Sequence, residues 1–221
     1  MESRRQSDRE AVTQHDESSP LGLSAVFGDE AGPLPLFNAW YAEAQQAEPN
    51  DPSAFALATA DASGRPSVRM LLLKGVSEGG FAFYTNMNSR KAAELGENPH
   101  ASICFHWKYL RRQIRISGTV APVSDVEADA YFASRDHGSR VGAWVSLQSS
   151  PMASRAELQQ RLAELQAKYP EGADVPRPPH WSGWWLQPCD VEFWLHGDAR
   201  LHERLLYQKA GDGWEKSILY P

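Results

Sequence analysis

The sequence predicts an α+β, mainly β fold: short antiparallel strands curling into a barrel, with helices on its flanks. Three observations predict it. Strand-like runs follow one another across Gly, Asp, Ser and Pro turns, without the strand–helix alternation of a parallel sheet. Two capping boxes, Ser124-Asp125-Val126-Glu127 and Ser154-Arg155-Ala156-Glu157, place helices in the middle of the chain. A Pro-rich run, Val175 to Pro179, then returns the chain to strands.

The elements follow in order. Residues 1–31 are polar with charges of both signs, and are expected to form a disordered tail. One domain over 32–221 is expected after it, including a C-terminal hairpin region. Leu36, Phe37, Trp40, Tyr41 and Ala44 recur at helical spacing, and Glu48 to Pro52 ends that helix. Strands are predicted at Phe55–Thr59 and Val68–Lys74 around the turn Asp61 to Pro66. A third follows at Phe81–Thr85, after the turn Ser77 to Gly80. A helix from Ser89 stops near Gly96. Strands at Ala101–Trp107 and Gln113–Val120 come next, the latter with Gln113, Arg115 and Ser117 on one face and Ile114 and Ile116 on the other. The capping boxes open helices to about Ser134 and Lys168. The last strands are predicted at Gly183–Leu186, Val191–His196, Arg200–Gln208 and Trp214–Leu219.

Composition bounds the function. The 221 residues are 42% hydrophobic, with eight Trp and eight Phe, which is ample core for one domain. A net charge of −6 argues against a general nucleic-acid or membrane-surface binder. No apolar run approaches the ~20 residues that span a bilayer. The N-terminus lacks the apolar core of a signal peptide. Cys104 and Cys189 stand far apart with no CxxC, so a reduced, cytoplasmic setting is expected. The His residues show no metal-ligand spacing, and His196 with His202 has no third partner. GxSxG, GxGxxG and the P-loop pattern are all missing.

The informative stretch is Arg69 to Lys91. Arg90 and Lys91 fall in the first turn of the helix from Ser89, where the dipole disfavours cations. Two cations beside free backbone N–H groups make a site for an anion, most naturally a phosphate. A solvated basic helix start is the competing reading. Arg69 and Lys74 decide between them: they end a strand expected beside this helix start, so four positive groups would converge. In the C-terminal hairpin, strand alternation puts Arg200, His202 and Arg204 on one face with Trp194 beside them. Such a row faces an anionic ligand or protects a sheet edge. Tyr131, Arg135 and Ser139 are spaced by four and would share a helix face that suits a phosphate; a solvated face is the blander alternative. Gln148, Ser149 and Ser150 follow the apolar segment Val141–Val145 and either bind a ligand or cap the next helix.

These residues lie in segments that resemble the pyridoxamine/pyridoxine 5′-phosphate oxidases. The segments are RMLLLK (69–74), FYTNMNSRK (83–91), RRQIRISG (111–118), GAWVSLQSS (142–150), EFW (192–194) and RLHERLLYQ (200–208). The likeness runs in order from about Leu34 to Pro221. It implies a split β-barrel of the FMN-binding type, and a cytoplasmic homodimer with FMN between the subunits. By position, it implies that Arg69, Met70, Leu71, Leu72, Leu73, Lys74, Tyr84, Thr85, Arg90, Lys91, Gln113, Gln148, Ser149, Trp194 and Arg204 hold FMN. Lys74, Tyr131, Arg135 and Ser139 would hold the substrate phosphate, while Arg200, Leu201 and His202 would flank the reacting carbon, with Arg200 and His202 catalytic. The implied reaction oxidises pyridoxine or pyridoxamine 5′-phosphate to pyridoxal 5′-phosphate, with O2 as acceptor and H2O2 as product.

Two places depart from the family pattern. Leu195 and His196 stand where many relatives carry Gln-Gly, and Glu17 to Pro20 stands where some carry an Arg-Arg-x-Tyr substrate lid. The alternatives are an FMN oxidase of phenazine biosynthesis, a non-catalytic flavin or pyridoxal phosphate carrier, and a nicotinamide-dependent flavin reductase.

Overall fold

A computed structural model describes residues 22–221. The expected disorder of residues 1–21, and the Glu17–Pro20 segment, lie outside the described residues. The rest of the expected tail is corrected: Leu23 and Phe27 are buried around a 3-10 turn at Ala25–Phe27. Two anchors hold it there. Trp40 donates its indole N–H to the Val26 carbonyl at 2.8 Å, and Ser24 bonds the Glu203 carboxylate through its N–H and hydroxyl. The polar composition of the segment conceals these few apolar contacts.

Among the described residues, nine strands form one antiparallel sheet, curled into a half-barrel. They are β1 (Ala54–Ala60), β2 (Pro66–Leu72), β3 (Gly75–Ser77), β4 (Gly80–Asn86), β5 (His100–Trp107), β6 (Arg112–Pro122), β7 (Trp181–Leu195), β8 (Glu203–Ala210) and β9 (Gly213–Ile218). The order is β2-β1-β5-β6-β7-β4-β3, with β8 on β7 and β9 on β8. The three-residue β3 falls at the edge of a predicted turn; it is too short to carry a period.

β7 is the spine. Two predicted strands, 183–186 and 191–196, are one continuous element. Along one edge it pairs with β6; along the other it pairs first with β4 and then with β8. The two halves meet at a bulge, where Ser117 faces Asp190 but Gly118 faces Pro188, leaving Cys189 as the extra residue. Any side chain at Gly118 would place its Cβ 1.9 Å from the Gln187 carbonyl oxygen, so the close approach requires glycine.

Helix α1 (Pro33–Ala47) starts with Pro in its first turn and buries Leu36, Phe37, Trp40 and Ala44. Phe37 packs edge-on to Phe81 and Phe105, and Trp40 edge-on to Phe193, so the helix closes the concave face over one aromatic core. Truncating Trp40 or Phe37 to Ala would cost about 3–5 kcal/mol.

The other helices are α2 (Arg90–Glu97), α3 (Asp125–Ser134), α4 (His137–Val145) and α5 (Arg155–Lys168). The Ser124 capping box is fully formed. In the second, Ser154 accepts from the Glu157 N–H, but the Glu157 carboxylate takes the Ala153 N–H instead of closing back on Ser154.

Candidate active site

Two groups of polar residues gather at opposite ends of β7. The first surrounds the start of α2. Lys91 lies in the first turn and is buried, and its ammonium donates to Thr85 Oγ1 (3.0 Å), Ser89 Oγ (3.1 Å) and Gln148 Oε1 (2.6 Å). All three acceptors are neutral. Burial, and then the Arg69 charge, depress its pKa to about 8, although Glu94 opposes them. The Arg90 backbone N–H points at Ser149 Oγ, 3.2 Å away. Ser149 holds a left-handed backbone, φ 71°, a conformation that costs non-glycine residues about 1 kcal/mol or more. Hydroxyls, a helix N-terminus and an ammonium bonded only to neutral acceptors make a donor set that fits a phosphate.

Beside this cluster lies a cavity of about 600 Å³, lined by Met70, Leu71, Leu72, Lys74, Tyr84, Tyr131, Ser134, Arg135, Asp136, Ser139 and Trp181. Tyr84 stacks on Tyr131 (4.2 Å between ring centroids) and on Trp181 (5.2 Å), making a flat aromatic wall. The Arg135 guanidinium lies 5.0 Å over Trp181, and its buried Nη1 has no hydrogen-bond partner. An unpaired, buried guanidinium nitrogen on a residue that lines a cavity with several hydroxyls calls for an anionic ligand.

Two site expectations are corrected here. Tyr131, Arg135 and Ser139 do not share one helix: α3 ends at Ser134, and Asp136 caps α4 by accepting the Ser139 N–H at 2.8 Å. They converge because the helix breaks and restarts, which Gly138 and the capping Asp136 encode. Arg69, Lys74, Arg90 and Lys91 also do not converge as one foursome. Arg69 joins the α2 cluster through Glu94, whereas Lys74 lines the cavity.

The second group sits at the far end of β7. Trp194 faces Arg204 on β8 and Gln113 on β6. Glu192 accepts from Arg204 at 2.7 Å and is bonded by Arg115, so two guanidiniums share one carboxylate. His202 lies 4.6 Å from the Trp194 ring and 5.3 Å from the His196 ring. The Gly197 N–H donates to His202 Nδ1 at 3.2 Å, so the neutral imidazole keeps its proton on Nε2. Gly197 cannot be replaced without moving this turn, because a Cβ there would meet the Leu201 carbonyl oxygen at 1.9 Å.

The expected strand alternation of Arg200, His202 and Arg204 is corrected: β8 begins only at Glu203. Arg200 ends a 3-10 turn (Asp198–Arg200), where Ala199 and Arg200 hold positive φ of 51° and 67°. Burial, and then the charge of Arg111, which pairs with Asp198 at 3.8 Å, lower the His196 pKa. Ser182 and Trp194 are separated by roughly 40 Å along β7, at about 3.3 Å per residue.

Comparison with known proteins decides the family. Residues 41–169 match the family model described as pyridoxamine 5′-phosphate oxidase, and residues 181–221 match the pyridoxine 5′-phosphate oxidase C-terminal dimerisation region. The chain belongs to the pyridoxamine 5′-phosphate oxidase family. A pyridoxine/pyridoxamine 5′-phosphate oxidase of Sphingopyxis alaskensis is 57% identical over 202 residues, 91% of this chain and 92% of that relative. One of Rhodospirillum rubrum is 56% identical, over 87% of this chain and 98% of that relative. Among solved structures of this oxidase fold, PhzG from Burkholderia lata, in complex with tetrahydrophenazine-1-carboxylic acid, superposes with TM-score 0.83 at 34% identity. It covers 89% of this chain and 96% of its own.

Sequence reasoning missed Trp181, Ser89 and Glu94. Trp181 follows a Pro-rich run that masks the strand start. Glu94 had a visible signal in its i,i+4 spacing from Arg90.

Proposed function

We propose that the protein oxidises pyridoxine 5′-phosphate and pyridoxamine 5′-phosphate to pyridoxal 5′-phosphate, with FMN as cofactor and dioxygen as acceptor. The observation that carries this reading is the pair of adjacent anion sites at the Trp181 end of β7: one at the start of α2, one in the cavity under Arg135. A phosphorylated flavin and a phosphorylated substrate need two such sites side by side.

FMN, when bound, supplies the two-electron acceptor, and dioxygen then takes those electrons to become hydrogen peroxide. Lys91, the Arg90 N–H, Thr85, Ser89, Gln148 and Ser149 would hold its phosphate, with Arg69 and Arg90 adding charge. The 69–74 backbone, Tyr84, Gln113, Trp194 and Arg204 would bind the rest. Lys74, Tyr131, Arg135 and Ser139 would bind the substrate phosphate at the cavity. Arg200 and His202, with Leu201 between them, would orient the substrate carbon. His202 would donate a hydrogen bond from its Nε2–H, since Nδ1 is committed to accepting from Gly197. The substrate carbon loses two electrons and two protons, and the peroxide receives both; the amine substrate also takes up water and releases ammonia.

The two polar groups stand at opposite ends of β7, which supports a homodimer whose site draws on both copies. The match of residues 181–221 to a dimerisation region supports the same reading.

The test is peroxide production by the FMN-loaded protein given pyridoxine 5′-phosphate in air, with unphosphorylated pyridoxine as control. Peroxide matched by pyridoxal 5′-phosphate, and only with the phosphorylated substrate, is expected. A yellow protein without turnover would sink the substrate assignment. The resemblance to the Burkholderia lata structure supports one second reading, oxidation of a phenazine precursor. The same assay run with a tetrahydrophenazine carboxylic acid separates the two.

A further inference from the structure

Glu94 is a buried carboxylate on the inner face of α2, one turn after Arg90. Its Oε2 accepts from Thr59 Oγ1 at 2.5 Å, Ser67 Oγ at 2.6 Å and Arg69 Nη2 at 3.3 Å. Its Oε1 accepts from Arg90 Nε at 2.8 Å. Burial opposes the charge, but the bonds from Ser67, Thr59 and Arg90 prevail and hold the carboxyl at about 2, so it is ionised throughout the physiological range.

A carboxylate this close to an anion site looks counterproductive until the charges are counted. Arg69, Arg90 and Lys91 surround it, and Lys91 feels both Arg69 and Glu94. Three cations less one carboxylate leave two positive charges, the complement of a phosphate monoester, which carries about −1.5 to −2 near neutrality. The geometry is equally specific. Arg90 is otherwise largely solvent-exposed, and a free guanidinium there would sample many rotamers. Arg69 is fixed on the other side by Thr59 Oγ1 at 2.6 Å and the Leu57 carbonyl at 3.1 Å.

We propose that Glu94 is a positioning residue that locks Arg69 and Arg90 in place to meet a phosphate at the α2 site. The site thereby tells a phosphorylated flavin from the unphosphorylated one. This inference rests on the flavin-phosphate reading above.

The test measures FMN and riboflavin affinities of the full-length, flavin-stripped chain by quenching of flavin fluorescence. Wild type binding FMN no better than riboflavin would defeat the phosphate-site reading itself, whatever Glu94 does. Given wild-type discrimination, Glu94→Gln turns an amide N–H toward a guanidinium and should weaken FMN binding by about tenfold, the worth of one charge-assisted hydrogen bond. Riboflavin affinity should stay within about twofold. The upper pH limit of FMN binding should also move down, because Glu94 helps to keep Lys91 protonated. Equal losses for both flavins, or an unchanged FMN affinity, would overturn the proposal. Should Glu94→Gln not fold, Ser67→Ala removes one donor to the carboxylate and one acceptor of Arg69 while leaving the charge. It should lower the FMN/riboflavin preference about threefold, and an unchanged preference would again overturn the role.

Discussion

The two ends of β7 hold their polar groups in opposite ways. At the Trp181 end, Lys91 is buried and bonded to buried Ser89 and Thr85, and buried Glu94 accepts from Thr59 and Arg90 nearby. At the Leu195 end, Arg200 and Leu201 are exposed on a turn with left-handed backbone. The first end is finished within one chain: its dipoles point where an anion would sit, and little reorganisation is needed. The second end presents exposed residues, and its strained turn is held by the Gly197–His202 bond. Contrast of this kind is expected when a site is assembled from two copies, with one bringing a prepared cradle and the other a projecting hairpin.

The largest expected effect follows from that division. Replacing Arg200 and His202 together by Ala should lower turnover by about 10²–10⁴-fold, the usual worth of lost proton transfer and orientation, while FMN binding survives. Lys74→Met/Arg135→Gln should disable the other end. Each variant alone should be nearly inactive. Mixed and allowed to exchange subunits, the pair should recover about a quarter of wild-type activity, because half the dimers are mixed and each has one intact site. No recovery in a mixture shown to contain mixed dimers would mean that each chain builds its whole site alone.

A smaller effect sharpens the cradle end. Arg135 Nη1 is buried and unpaired, and burial lowers the pKa of its guanidinium without displacing it from the charged form. Arg135→Gln should therefore raise the KM for pyridoxine 5′-phosphate by about 30-fold, near 2 kcal/mol for a charge-assisted phosphate contact. Unphosphorylated pyridoxine should be used equally poorly by both proteins. A kcat loss at unchanged KM would assign Arg135 to the reacting carbon instead.

The strands and most helices were legible because each carries its own period and its own stop signals: Ile114 and Ile116 alternate with Gln113 and Arg115, and Ser124 with Glu127 closes a capping box. Two features failed for different reasons. The unity of β7 depends on β6, a partner far away in sequence that spans the bulge at Cys189, whereas the true start of β8 is set by a tight local turn that ties Gly197 to Leu201 and His202. The cluster proposed as an anion site at α2 was signalled locally, since cations in a first turn are a misfit that needs a reason. Its partners were less so. Gln148 and Ser149 reach Lys91 and Arg90 from 57 and 59 residues away, and nothing in their spacing says so. The cavity residues came together by a different route from the one that spacing suggested, through the break between α3 and α4.

The mildest prediction concerns pH and separates the two ends once more. Lys91 has a pKa of about 8 in the free protein, depressed mainly by burial. Below that pH the ammonium already carries its proton and FMN binds without proton uptake. Above it, binding an anion must first restore the charge, so affinity should fall by up to about tenfold per pH unit until the higher pKa of the complex is passed. Lys91→Met should bind FMN more weakly and lose this decline, because the neighbouring carboxylate, Glu94, is held ionised well below that range. The Arg200/His202 variant should keep the decline unchanged, since its hairpin takes no part in the charge at α2. A decline that persists in Lys91→Met would move the titrating group elsewhere, and with it the claim that the Trp181 end alone prepares the phosphate cradle.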